Sequence, residues 1–304
     1  MAVRHGFVVA VFLALGLARG QQPHSHPSDA APPGSGVEAV PTPSEDQIRD
    51  LIRRAADRDL ENDKRQRDYT YIEREQENKL NGQGQVASTE SKTHEVMELY
   101  GEQVERLIAK DDKPLSSKDA AKEEARIQKL IDARKNESED ERRKRLEKEE
   151  KDREQGREFV KEITDAYNFR FAGMERLEGR EVYVIDADPR PGYEPRRREA
   201  KLLPKFRFRV WIDQADEEWV KLDAQCIDTV SVGWFIARVH KGSRVLIEQT
   251  RVNDEVWLPK SIALKLDARI LLKGVNLDEE VSYRDYKKFR AATKIVPAAA
   301  DDPH

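Results

Sequence analysis

Residues 205–224, KFRFRVWIDQADEEWVKLDA, constrain the fold more than any other stretch of the chain. Phe206, Phe208, Val210 and Ile212 alternate with Lys205, Arg207, Arg209 and Trp211, the period of two that sends successive side chains to opposite faces of a strand. After a turn-like 213–217, Val220, Leu222 and Ala224 alternate with Trp219, Lys221 and Asp223. Setting Trp211 against Trp219 places Val210 opposite Val220 and Phe208 opposite Leu222. The predicted hairpin therefore has one oily face, and the rest of the chain must supply its cover.

Cover cannot come from everywhere. With 304 residues, 38% of them charged, and a mean hydropathy of -0.84, much of the chain has to be solvated. Residues 1–20 carry Arg4, an apolar run over 7–18 and small residues at Ala18 and Gly20, the pattern of a secretory leader cleaved before Gln21. The run is shorter than the roughly 20 residues a membrane-spanning helix needs. No Cys stands at the cleavage site, so a lipid anchor is not indicated. Loss of Arg4 and Arg19 would take the formal charge from -4 to -6, which speaks against nucleic acid as a bulk electrostatic partner. Cys226 is the single cysteine, excludes an intramolecular disulfide and reads as an inert half-buried thiol.

Residues 21–43 are rich in Pro, Ser, Gly and Ala and read as a disordered linker, in which His24 and His26 make a poor metal site. Ser44 and Gln47 form a capping box ahead of Ile48, Leu51, Ile52, Ala55, Ala56 and Leu60 at helical spacing. That helix is either an ordinary core helix or a lid over a ligand cavity. Two polar-faced strands are expected within 69–100, joined around 81–84, with a third over 102–108. Residues 115–166 break the rhythm as a charged helical insertion. Ser117 caps a helix through Ile127, Leu130 and Ile131, and Ser138 with Glu141 opens a second, supported by charge pairs four apart such as Glu141 with Arg145. The insertion reads as a solvated arm or as a docking surface for another protein. Phe159, Val160, Ile163, Ala166 and Tyr167 return the chain to the body.

Strands resume at Asn168, turn at Glu178-Gly179 and come back over 181–186; Arg196, Arg197 and Arg198 read as a solvated loop in preference to a phosphate site. Residues 229–240 and 244–252 are expected to pair across Lys241-Gly242-Ser243. The most regular alternation follows, with Ile262, Leu264, Leu266, Ala268, Ile270 and Leu272 on one face. A last strand covers 280–289, and 291–304 is a disordered tail.

An amphipathic N-terminal helix, a long antiparallel meander, Trp211-Ile212-Asp213, Glu248 with Trp257-Leu258-Pro259, and a terminal Tyr283, Tyr286, Lys287, Lys288, Phe289 run together resemble the LolA/LolB-like lipoprotein-carrier superfamily over 44–289, apart from the charged insertion. The resemblance implies an α+β fold, a strongly curved, unclosed antiparallel β-barrel whose apolar face binds acyl chains or lipidated proteins under a helical lid in the periplasm. Its expected lipid-binding residues are Phe206, Phe208, Val210, Ile212, Val220, Leu222, Ile262, Leu264, Leu266, Ile270 and Leu272. No cofactor is implied.

Rival functions rest on the residues themselves. Ser243 lies near His240 without a nucleophile elbow or a third member, and His94 stands alone, so no catalytic constellation is expected. Phe206 and Phe208 amid Lys205, Arg207 and Arg209 lack the glycines of an RNA-binding sheet. The serious competitor is a non-enzymatic envelope module that binds another protein through the charged insertion. An apolar face left open favours the carrier, and one filled by the chain's own side chains favours the module.

Overall fold

The computed structural model describes residues 43–289 except 101, 198 and 233–236. The expected leader 1–20, nearly all of the linker 21–43, the tail 291–304 and the side chains of Leu60, Phe159 and Val160 lie outside the described residues. Helix α1 (Glu45–Gln66) begins at the expected capping box, Ser44 and Gln47 each satisfying the other's backbone N–H. Strands β1 (Tyr69–Leu80), β2 (Val86–Leu99), β3 (Glu102–Lys110) and β4 (Lys113–Pro114) follow as a meander. Helices α2 (Ser117–Lys135) and α3 (Glu139–Ala166) come next, then β5 (Tyr167–Leu177) and β6 (Arg180–Pro189), a 3-10 turn (Glu199–Lys205), β7 (Phe206–Asp213) and β8 (Trp219–Cys226). The chain closes with β9 (Val230–Val232), β10 (Ala237–Val239), β11 (Arg244–Val252), β12 (Val256–Ile270) and β13 (Lys273–Lys288).

All described strands join one antiparallel sheet in the order β4-β3-β2-β1-β13-β12-β11-β8-β7-β6-β5, with β9 and β10 attached at β12. The path ends at β4 on one side and β5 on the other, so the barrel is unclosed. The charged helices have a structural task in this order, because α2 and α3 carry the chain from one outer edge to the other. Their start is one residue earlier than expected: Ser116, not Ser117, caps α2.

Nor is the excursion wholly solvated. Glu123 of α2 accepts from the Leu107 N–H at 2.9 Å, Arg126 donates to the Glu105 carbonyl, and Ile127 is buried, so α2 satisfies part of the open edge of β3. On α3, Arg145 pairs with Glu137 at 2.9 Å. At the other edge, β5 carries a bulge at Ala172, beside Gly173 at φ 139, which breaks the regular edge of that strand.

Two further expectations are corrected. The β7–β8 hairpin pairs Val210 with Leu222, Phe208 with Ala224 and Ile212 with Trp219, and it skips Val220 as a bulge. One extra residue inverts the alternation beyond it. Trp219 therefore joins the helix-covered face, while Val220 packs with Val182, Val184, Trp211 and Trp257 in a separate cluster. The described residues of 229–240 do not pair with 244–252. Instead β10 and β11 lie end to end along the same edge of β12, Val239 opposite Ala268 and Arg244 opposite Lys265. The Gly242 signal marks a kink, not a reversal. Ser243 bridges it by donating to the Asp267 carbonyl and accepting from the Asp267 N–H, both at 3.0 Å, which accounts for a buried serine.

The main core lies between one face of the sheet and three covers. These are α1 through Ile48, Leu51, Ile52 and Ala55, the end of α3 through Ile163 and Ala166, and the 3-10 turn through Ala200 and Leu203. Tyr167 ties the last two by donating to the Leu203 carbonyl at 2.7 Å. At the seam of the sheet, Tyr283 and Tyr286 of β13 pack against Tyr71 of β1 with ring centroids 5.9 and 5.2 Å apart, which accounts for the terminal tyrosine pair as packing.

A charged groove on the open face

The expected apolar site is where the covers sit. Phe206, Val210, Ile212, Leu264 and Leu266 are buried in the main core, and Phe208, Leu222, Ile262 and Ile270 pack against it partly buried. Ile212 is 0% exposed. Two residues fall elsewhere. Val220 is displaced to the second cluster by the bulge. Leu272 is 88% exposed, because β12 ends at Ile270 and Leu271-Leu272 form the turn into β13. Alternation alone could not place that turn, since it holds no Gly, Asn or Asp.

The same strands expose a different surface on their other face, where a cavity of about 620 Å³ opens across β5, β6, β7, β8 and β11. Register builds it. Arg170 of β5 stands opposite Asp186 of β6, Asp186 opposite Arg209 of β7, Arg209 opposite Asp223 of β8, and Asp223 opposite Leu246 of β11. The next rung sets Arg207, Gln225 and Arg244 side by side, and the rung on the other side sets Trp211 beside Lys221.

Ion pairs lock this ladder. Arg209 Nε donates to Asp186 at 2.5 Å, Arg170 reaches the same carboxylate, and Arg244 Nε donates to Asp223 at 2.6 Å. The hydrogen bond from Arg209 holds the Asp186 carboxyl below the usual range, and Asp223 holds the Arg244 guanidinium more firmly protonated. Lys221 lies 5.2 Å from the Trp211 ring centroid and pairs with Glu248 at 2.8 Å, while Trp211 Nε1 donates to Glu175 at 2.8 Å. Five cations, Arg170, Arg207, Arg209, Lys221 and Arg244, and three carboxylates, Asp186, Asp188 and Asp223, line the cavity, with Glu248 on Lys221 and Glu175 on Trp211 at its border. Arg207 makes no ion pair among the described residues. The sequence shows the basic alternation at Lys205, Arg207 and Arg209, but the groove also needs β5, β6, β8 and β11, whose order is not legible from local pattern.

A second polar feature lies beneath α1. Glu218 is 4% exposed and its Oε1 has no hydrogen-bond partner. Burial pushes its carboxyl up to about 9, and the nearby Asp59 charge adds to that. Asp59 itself accepts from Trp219 Nε1 at 2.8 Å. The Trp-Ile-Asp and Trp-Leu-Pro runs meet beside this region through Arg180, which bonds Asp213 at 2.6 and 2.7 Å and lies over the Trp257 ring at 5.5 Å. Cys226 is buried, donates to the Asp228 carbonyl and has its thiol pushed up to about 11 by burial, as an inert cysteine requires. No cluster of three metal-ligating side chains occurs among the described residues, and no described helix is long and apolar enough to cross a membrane.

No family model and no curated protein matches the chain. Solved structures do. A putative outer membrane lipoprotein-sorting protein domain from Vibrio parahaemolyticus is 13% identical, with a TM-score of 0.32 over 80% of this chain and 95% of that one. A LolA superfamily protein from Nitrosomonas europaea is 9% identical, with a TM-score of 0.23 over 74% of this chain and 87% of that one. The Pseudomonas aeruginosa MucA/MucB complex structure is 11% identical, with a TM-score of 0.22 over 80% of this chain and 99% of the matched one. One of these solved structures bears the name of the superfamily expected from the sequence.

Proposed function

We propose that the chain is a non-enzymatic binding protein of the cell envelope, exported by its leader, that takes an extended acidic segment of a partner protein in the open-face groove. One observation carries this reading. A chain of net charge -4 lines one cavity of about 620 Å³ with five cations, of which Arg207 makes no ion pair among the described residues. This reading sets the contact on the sheet and not on the charged helices, of which α2 lies along β3 through Glu123, Arg126 and Ile127. A Glu-rich peptide carrying one Tyr and a fluorophore is the probe. Anisotropy at low salt should give saturable binding that Arg207→Glu with Arg244→Gln weakens about tenfold or more, and that added salt weakens further. Absence of saturation with the parent protein, or equal binding by the double variant, would overturn the reading.

Acyl-chain carriage beneath α1 is the second reading, favoured by the unpartnered Glu218 under that helix. It requires a ligand to pass α1, whose Ile48, Leu51, Ile52 and Ala55 are buried against the apolar face. Uptake of a fluorescent fatty acid that rises between pH 6 and pH 9 in the parent and not in Glu218→Gln would support it. Lack of uptake at either pH removes it.

A further inference from the structure

The turn between β12 and β13 has an unusual composition for its geometry. Ile270 pairs with Lys273, which leaves Leu271 and Leu272 as a two-residue hairpin loop. Leu271 sits at φ 54, the first central position that favours Gly in such turns, and a bulky side chain is strained there. Neither leucine is compensated by packing, since Leu271 is 63% and Leu272 88% exposed. Two large apolar side chains thus occupy a place that turn chemistry gives to small or polar residues and that water makes unfavourable. A strained, exposed choice of this kind points to a function that uses it.

Charge identifies the partner. The three rungs nearest the tip are Ile270 with Lys273, Arg269 with Gly274 and Ala268 with Val275, and β10 extends them by pairing Ala237 with Ile270, Arg238 with Arg269 and Val239 with Ala268. Every charged side chain on those rungs is a cation: Lys273, Arg269 and Arg238, all exposed. The first carboxylate inward is Asp267, and it is engaged with His240 Nδ1 at 2.8 Å. Lys241 adds another exposed cation beside it.

We propose that this hairpin tip docks the protein on an anionic lipid surface. Leu271 and Leu272 enter the boundary between headgroups and acyl chains, and Arg238, Arg269 and Lys273 meet the headgroup phosphates around them. A hairpin suits the task because its backbone groups are paired across the rungs behind the tip. The site is separate from the groove, sharing no residue with it. Either can therefore fail without the other.

The test uses the full chain with Leu272→Cys, labelled at that position with an environment-sensitive fluorophore; native Cys226 is buried and does not compete. Vesicles of phosphatidylglycerol with phosphatidylcholine should shift the probe emission to the blue, and vesicles of phosphatidylcholine alone should do so much less. In unlabelled protein, Leu271→Ser with Leu272→Ser should lower partition onto the anionic vesicles about tenfold or more, with the thermal unfolding of the sheet unchanged or improved. Any contribution of the apolar run at 7–18 is common to parent and variant. Arg269→Glu with Lys273→Glu should remove the preference for the anionic lipid. An unshifted probe on anionic vesicles, or equal partition of parent and Leu-to-Ser variant, would overturn the proposal. So would a blue shift that appears only when a soluble protein is added in place of lipid.

Discussion

The two faces of strands β6, β7 and β8 are built from adjacent residues and behave as different materials. On one face Ile185, Val210 and Ile212 are buried against helices; on the other Asp186, Arg209 and Lys221 belong to an ion-paired ladder. Nothing in the backbone separates them except the sign of the pleat. The helix-covered face is held by exclusion of water, which is large and indifferent to salt. The open face is held by ion pairs, which are weak for stability, screened by salt and well suited to choosing a partner.

The largest expected effect breaks the first face. Ile212→Ala should cost about 3 kcal/mol by urea unfolding, because a fully buried side chain is deleted between packed layers. A loss below about 1 kcal/mol would mean that the covers collapse freely onto the sheet and that this face is looser than its burial implies.

A smaller effect tests the polar flaw in that same face. Glu218 has a folded pKa above its unfolded value, so the folded state holds the proton more tightly and the associated stability, present at low pH, is lost as pH rises from about 4.5 towards about 9. Glu218→Gln should remove this slope and be more stable than the parent by about 1–2 kcal/mol at pH 8, with little difference at pH 4. Parallel stability profiles for the two proteins across that range would show that the carboxyl is solvated or paired.

The smallest effect belongs to the open face. Arg209→Ala removes a guanidinium that is nearly half exposed, and screening limits the loss to about 0.5 kcal/mol or less. Its binding of the acidic peptide should nevertheless weaken severalfold. A large loss of stability with unchanged binding would make the ladder a structural brace and not a recognition surface.

Much of this was legible in local pattern. The capping boxes at Ser44 and Ser138, the alternation at 206–212 and the Glu178-Gly179 turn all appear where expected, because caps, pleats and left-handed turns depend on neighbours in sequence. What escaped depends on neighbours in space. The bulge at Val220 moves one apolar residue across the sheet without any Gly or Pro to announce it. The kink at Ser243 is held by a strand more than twenty residues onward, and the groove exists only because β5 and β11 stand three strands apart across β6, β7 and β8. Leu271 and Leu272 give no turn signal, because they are not the residues by which turns are recognised.

The seam between β1 and β13 sets the order in which such a sheet can be completed. Tyr69 stands opposite Lys288, and the Phe289 N–H donates to the Asp68 carbonyl at 2.5 Å, so the middle of the sheet is stitched by its most distant segments. The meander from β1 to β4 can form early, as can the one from β5 to β8, each from short connections. They remain two separate ribbons until the last strand arrives between them. Loop closure over so long a span is slow, and it leaves both inner ribbon edges exposed in the meantime. A chain arranged in this way stays unfinished until nearly all of it has been delivered, a timetable compatible with threading across a membrane before folding.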